Sequence, residues 1–218
     1  MPLAIFDLDN TLLDGDSDYL WGRYLSETGV VDGEAYEREN DRFFEQYKAG
    51  DLDIHEFLRF SLRPLKEHPM EELLAWRDQF MRRKIDPIIL SRAVELVEKH
   101  RQSGHTLLII TATNTFVTEP IARRFGIENL IATEPEMLQG RYTGEVAGIP
   151  SFQGGKVERL RQWLEDKDDD LAGSAFYSDS HNDIALMEEV DQPVAVDPDE
   201  QLAKISTARG WPIISLRD

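Results

Sequence analysis

Residues 4–13 read Ala4-Ile5-Phe6-Asp7-Leu8-Asp9-Asn10-Thr11-Leu12-Leu13. Three apolar residues run into two carboxylates one residue apart, and apolar residues then resume. A short apolar run bounded by polar residues suits a fully buried strand at the centre of a parallel sheet. Asp7 and Asp9 then stand at the carboxyl end of that strand, where open α/β sheets bind their ligands. Residues two apart share one face of an extended strand. Two negative charges meet there, and each raises the other's pKa unless a cation lies between them. With a hard cation the same pair becomes a binding site. The alternative reading is a solvated turn with two incidental aspartates.

The rest of the chain weighs against that alternative. Beyond Pro87 helix and strand patterns alternate. Leu90 to Gln102 reads as a helix, His105 to Thr111 as a strand, Thr118 to Phe125 as a helix with Pro120 in its first turn, and Leu130 to Thr133 as a strand. Gly140 to Ile149 suggests a hairpin, Gln153 to Leu164 a helix, and 166–170 an acidic loop. Ser174 to Asp179, Pro193 to Val196 and Pro212 to Leu216 read as strands, with helices over 182–189 and 199–208. Such alternation predicts an α/β fold with a doubly wound parallel sheet.

Residues 14–86 differ in texture. Asp14-Gly15-Asp16-Ser17-Asp18 resembles the start of an EF-hand loop, but the sixth position is Tyr19 and the twelfth Leu25, where that loop needs glycine and glutamate. The segment reads instead as a helix start capped by Ser17 or Asp16. Further helices are expected from Glu34 to Lys48, stopped at Gly50; from Ile54 to Leu62, capped by Asp53 and ended by Pro64; and from Pro69 to about Lys84. The expected organisation is a core of 1–13 and 87–218 with an all-helical insertion over 14–86.

Composition narrows the function. The chain has 218 residues and no cysteine, so a disulfide framework or a cysteine-based zinc or redox site is excluded. It carries 42 acidic and 24 basic residues, a formal net charge of −18. That balance disfavours nucleic acid and anionic membranes as partners. The start lacks the basic and apolar regions of a signal peptide, and no apolar run reaches membrane-spanning length. A cytoplasmic protein, monomeric by default, is the expectation. An anionic substrate would need a local positive site.

A second acidic group lies in Phe176-Tyr177-Ser178-Asp179-Ser180-His181-Asn182-Asp183, again an apolar strand running into carboxylates. Asp179 would share the sheet edge with Asp7 and Asp9 in an oxygen-rich site suited to Mg²⁺, and Asp183 stands where the next helix starts. Thr111 ends another strand, and Lys156 follows Gly154-Gly155 at a helix start. Lys156 is not a P-loop lysine, since Pro150 and Val157 stand where that motif needs glycine and Ser or Thr.

In combination these residues resemble the haloacid dehalogenase superfamily. Asp7-Leu8-Asp9-Asn10-Thr11 fits its Asp-x-Asp-x-Thr motif; Leu107 to Thr111, Lys156, and Asp179 with Asp183 fit the other three, in order. The helical insertion corresponds to a C1 cap over a Rossmann-like core. Among subgroups the chain is similar to phosphoserine-phosphatase-type enzymes, which include phosphatases of histidinol phosphate. The resemblance implies a Mg²⁺-dependent phosphomonoesterase acting on a small phosphorylated amino acid or amino alcohol. Asp7 is then nucleophile, Asp9 proton donor, and Thr111 and Lys156 phosphate ligands. Asp7, Asp9, Asp179 and Asp183 hold the metal, with Asp9 contributing its carbonyl. Asp16 and Arg59 match positions that bind the substrate's amino and carboxylate groups. Ala112 stands where phosphoserine enzymes commonly have glycine, and Asn182 matches a phosphate contact. A phosphomutase, a sugar or nucleotide phosphatase, and a non-catalytic metal- or phosphate-binding module are the alternatives.

Overall fold

The structure is a computed structural model that describes residues 1–167 and 170–217; positions 168 and 169 of the expected acidic loop lie outside the described residues. Its centre is a sheet of six parallel strands: β1 (Leu3–Phe6), β2 (Thr106–Asn114), β3 (Asn129–Thr133), β6 (Ala175–Ser178), β7 (Gln192–Val196) and β8 (Ile213–Ile214). Their spatial order is β3-β2-β1-β6-β7-β8. The chain therefore builds outward from β1 in one direction, then returns to β1's other edge and builds the opposite way. The reversal falls between β1 and β6, and such a switch point is where doubly wound sheets open a crevice for ligands.

Both faces of the sheet are covered, which is why its strands read as nearly unbroken apolar runs. Ala4, Phe6, Leu107 and Ile109 point to one side, against α1 (Ser17–Glu27), α6 (Ser91–Gln102) and α7 (Thr115–Arg124). Leu3, Ile5, Leu108, Ile110 and Phe176 point to the other, against α8 (Gly154–Lys167), α9 (Ile184–Met187) and α10 (Glu200–Arg209). Strand alternation supplies the two sets.

Between β1 and α6 lie α1, α2 (Gly33–Ala49), α3 (Ile54–Ser61), α4 (Arg63–Glu67) and α5 (Met70–Phe80), followed by a π turn over Met81–Ile85 and a 3-10 turn over Asp86–Ile88. Asp16 caps α1 by accepting the Tyr19 N–H, and Asp53 caps α3. Gly50 ends α2 at φ 79°, a left-handed conformation that costs glycine little. Trp21 and Phe80 meet edge to face with Phe116 of α7 beside them, so this region and the sheet share one apolar core.

Two prolines behave differently from expectation. Pro64 does not end helical structure; it sits in the first turn of α4, where its missing N–H costs nothing. Pro120 lies well inside α7, which begins at Thr115 with Asn114 as its cap. A proline there leaves the Phe116 carbonyl without its intrahelical donor. Arg77 of α5 supplies one at 3.0 Å. The expected hairpin is also shifted: its strands are β4 (Pro135–Leu138) and β5 (Arg141–Val146), with Gly140 at the turn.

Below the sheet, His100 joins Tyr177 and His105. One ring nitrogen of His100 lies 2.8 Å from the Tyr177 hydroxyl and the other 2.7 Å from His105 Nδ1. Burial, with His105 and Lys99 nearby, lowers the His100 pKa to about 4. The unfolded chain then binds this proton first, so the contribution of His100 to stability falls as pH drops from about 6.5 towards 4. Measured across that range, the denaturant midpoint of His100→Gln should rise relative to that of the wild type as pH falls.

Candidate active site

β1 ends at Phe6. The Asp7 N–H donates to the Tyr177 carbonyl (2.9 Å), which keeps Asp7 aligned with β6. The backbone then turns instead of staying extended. Leu12 and Leu13 both donate to the Leu8 carbonyl, and Asn10 adopts φ 55°. Asp9 therefore reaches the same cavity as Asp7 through a tight turn, not through strand alternation as expected. Thr11, two residues on, lies between two carboxylates: its hydroxyl is 3.4 Å from Asp7 Oδ2 and 3.0 Å from Asp179 Oδ1. It also accepts the Asp179 N–H.

Lys156 comes from the far side of the sheet. Its ammonium, 3% exposed, sits 2.7 Å from Asp7 Oδ1 and 2.7 Å from Asp183 Oδ1. The Ser178 hydroxyl donates to Asp183 Oδ2 at 2.7 Å. Asp183, expected among the metal ligands, is thus committed to holding the lysine. The reason glycine immediately precedes Lys156 is steric. A Cβ on Gly155 would lie 2.1 Å from the Pro150 carbonyl oxygen, so the start of α8 can pass that carbonyl only without a side chain. Gly155→Ala should cost about 1–3 kcal/mol in urea unfolding despite alanine's better helix propensity. It should also cut turnover about tenfold or more, because a shifted α8 carries Lys156 with it.

Four carboxylates and one ammonium leave an excess of negative charge. Burial pushes the Asp7 pKa up to about 7; Lys156 opposes the rise, while Asp183 and Asp9 add to it. Burial also raises Asp9, opposed by hydrogen bonds from Ser17 and Thr113. Asp179 is raised well above the usual carboxylate range by burial and by Asp7 and Asp183. For Lys156 burial acts against the charge, but Asp183 and Asp7 outweigh it and hold the ammonium above its ordinary value.

This imbalance is what a divalent cation would relieve. Among the described residues no three His, Cys, Asp or Glu side chains close on a single point. Mg²⁺ does not require that, since it keeps several waters and uses one or two carboxylates. Asp7 and Asp179, bridged by the Thr11 hydroxyl, fit such a set.

Above these groups lies a cleft with about 580 Å³ of unfilled space, open to solvent. Asp7, Asp9, Thr111, Ala112, Thr113 and Lys156 form its floor, and Asp16, Asp18, Tyr19, Asn40, Phe43, Phe44, Tyr47, Leu52, Ile54, Phe57 and Phe152 its walls. Asp16 meets the expectation of a place in the cavity, although it also caps α1. Arg59 does not: it is exposed on α3, whose cleft-lining residues are Ile54 and Phe57. Two residues past Phe57, a helix has turned its side chain well away; the charge of Arg59 acts instead on the cap residue Asp53.

Asn182 is buried but spoken for. It donates to the Tyr47 carbonyl (3.2 Å) and accepts from Gln153 (2.9 Å), tying the end of α2 to the core. Sequence reasoning missed Thr113, Tyr47, Asp18 and Phe152. Thr113 alone had a signal, since it shares a strand face with Thr111.

A carboxylate at the switch point, a buried lysine beside it and a second carboxyl facing the same cleft suit hydrolysis by phosphoryl transfer. Comparison with known proteins agrees. The profile of haloacid dehalogenase-like hydrolases matches residues 4–188. A histidinol-phosphatase of Neisseria meningitidis serogroup C is 43% identical over 219 residues, covering 99% of each chain. The crystal structure of a Bordetella pertussis Tohama I protein of unknown function has a TM-score of 0.93 at 46% identity, covering 99% of this chain and 98% of that one. A phosphoserine phosphatase, as a phospho-aspartyl intermediate analogue, has a TM-score of 0.72 at 18% identity, covering 99% and 93%; the agreement there is one of fold. The chain belongs to the haloacid dehalogenase-like hydrolase family, and it is a hydrolase of phosphoric monoesters.

Proposed function

We propose that this phosphatase acts on the phosphate ester of a small amino alcohol, with histidinol phosphate the best-fitting substrate. The observation that carries the reading is the lining of the cleft. Its walls are aromatic rings and the carboxyls of Asp16 and Asp18, and its one cation, Lys156, is committed to Asp7 and Asp183. A substrate with an ammonium and an imidazole but no carboxylate suits those walls. Phosphoserine would bring a carboxylate with no arginine among the lining residues to meet it. The N. meningitidis relative's name supports the same choice.

In this reading Asp7 attacks phosphorus as the bond from phosphorus to the alcohol oxygen breaks, and Asp9 gives its proton to that departing oxygen. A water then loses a proton to Asp9, its oxygen bonds to phosphorus, and the Asp7–phosphorus ester opens to release phosphate. Lys156 and Thr111 stabilise the equatorial oxygens. Mg²⁺, held by Asp7, Asp179 and the Asp9 carbonyl, would offset the repulsion between the nucleophile and the phosphate. Residues 14–86 act as the cap that presents the aromatic walls, over a core of 1–13 and 87–218.

The test is turnover with Mg²⁺, and with the metal chelated, on histidinol phosphate, phosphoserine and a sugar phosphate. The expected kcat/KM for histidinol phosphate exceeds that for phosphoserine by about a hundredfold, as an unpaired anion in the cleft requires. Equal or better turnover of phosphoserine overturns the substrate reading. Full activity in chelator overturns the metal.

A further inference from the structure

The Asp9 carboxyl is clamped at both oxygens. The Ser17 N–H, in the first turn of α1, donates to Oδ1 at 2.6 Å, and the Thr113 hydroxyl donates to Oδ2 at 2.8 Å. Thr111, the strand-end residue that the motif singles out, stands farther off at 3.5 Å, and its oxygen accepts the Thr113 N–H instead. Thr113 is 4% exposed and reaches the site because β2 continues past Thr111 to Asn114, with a register shift against β3 between Ile110 and Asn114. Residues 111 and 113 then share one face, and such irregularities re-aim side chains beside active sites.

We propose that Thr113 is a positioning residue for the reaction: its hydroxyl fixes the rotation of the Asp9 carboxyl so that its acidic O–H faces the leaving-group oxygen. Asp9 lines the cleft, and turning it about its Cβ–Cγ bond would break both clamping bonds at once. The proposal rests on Asp9 as proton donor to the departing alcohol.

Leaving groups separate the two. An alkoxide is too basic to depart without a proton, whereas p-nitrophenolate leaves unaided, so loss of an oriented acid lowers kcat/KM, which reports the first transfer, for the alkyl ester alone. The water step that Asp9 also assists is common to both and shows in kcat. The comparison uses p-nitrophenyl phosphate and whichever alkyl phosphate the enzyme turns over fastest, with thermal midpoints measured alongside. Thr113→Val, close to isosteric, should lower kcat/KM for the alkyl ester roughly tenfold to a hundredfold, as loss of one hydrogen bond to a charged group does. The p-nitrophenyl ester should change by less than about threefold, and Thr113→Ser should restore the alkyl rate. Thr113→Ala gives the same comparison if the valine variant does not fold. Equal decline on both esters, or no decline, overturns the proposal when Asp9→Asn itself discriminates between them. An Asp9→Asn variant that does not discriminate overturns the donor reading, and the proposal with it.

Discussion

Lys156→Met is expected to unfold earlier than the wild type and to lose nearly all turnover. The ammonium is buried between Asp7 and Asp183 at 2.7 Å from each. Removing one partner of a buried ion pair costs about 3–5 kcal/mol, because the remaining charge has no compensation. In a chain of this size that lowers the thermal midpoint by on the order of 10 °C. Methionine fills much of the lysine's volume, so the loss reports charge and not a cavity. Turnover should fall by about a hundredfold to a thousandfold, the usual cost of a missing donor to transition-state oxygens. A midpoint within about 2 °C of wild type would show that the carboxylates do not depend on this lysine.

Asp7→Asn separates chemistry from stability in the opposite way. Loss of the proposed nucleophile should reduce hydrolysis of p-nitrophenyl phosphate by at least about a thousandfold. The fold should not suffer. Asp183 still pairs with Lys156, and the amide oxygen of asparagine can still accept from it. The folded-state pKa of Asp7, about 7 against an ordinary 3.8, means that the folded chain binds this proton more tightly than the unfolded one. The sign follows: without metal, the contribution of Asp7 to stability drops as pH rises from about 4 through 7, and asparagine is spared that drop. Metal-free Asp7→Asn should therefore match the wild type near pH 4 and exceed it at pH 8. A variant less stable than wild type at pH 8 would contradict the charge excess read from the site.

The contrast between the two variants is informative because the site is a single electrostatic unit. One loses a carboxylate from an excess; the other loses the only cation among the residues that line the cleft.

Much of this was legible in the residues themselves. Apolar runs ending in carboxylates at Asp7 and Asp179 announced a parallel sheet with an acidic edge, because strands buried on both faces must be apolar until they emerge. The cap residues Asp16 and Asp53 and the stop at Gly50 marked helices by local hydrogen bonding and backbone conformation, which need no distant partner. Arg59 was misplaced because the face that a cap helix turns inward depends on what packs beneath it. Pro120 was misplaced because the donor that makes it tolerable comes from Arg77, on another element.

The chain's order of residues by itself determined the alternation of strand and helix, the two acidic strand ends and the lysine behind two glycines. Those are local patterns, governed by backbone geometry and burial over a few residues. Only the tertiary structure decided that Asp183 grips Lys156, that Thr113 and Ser17 clamp Asp9, and that the cleft walls are aromatic and acidic. These contacts join positions far apart in sequence, and their strength depends on shared burial, a property that no single segment possesses.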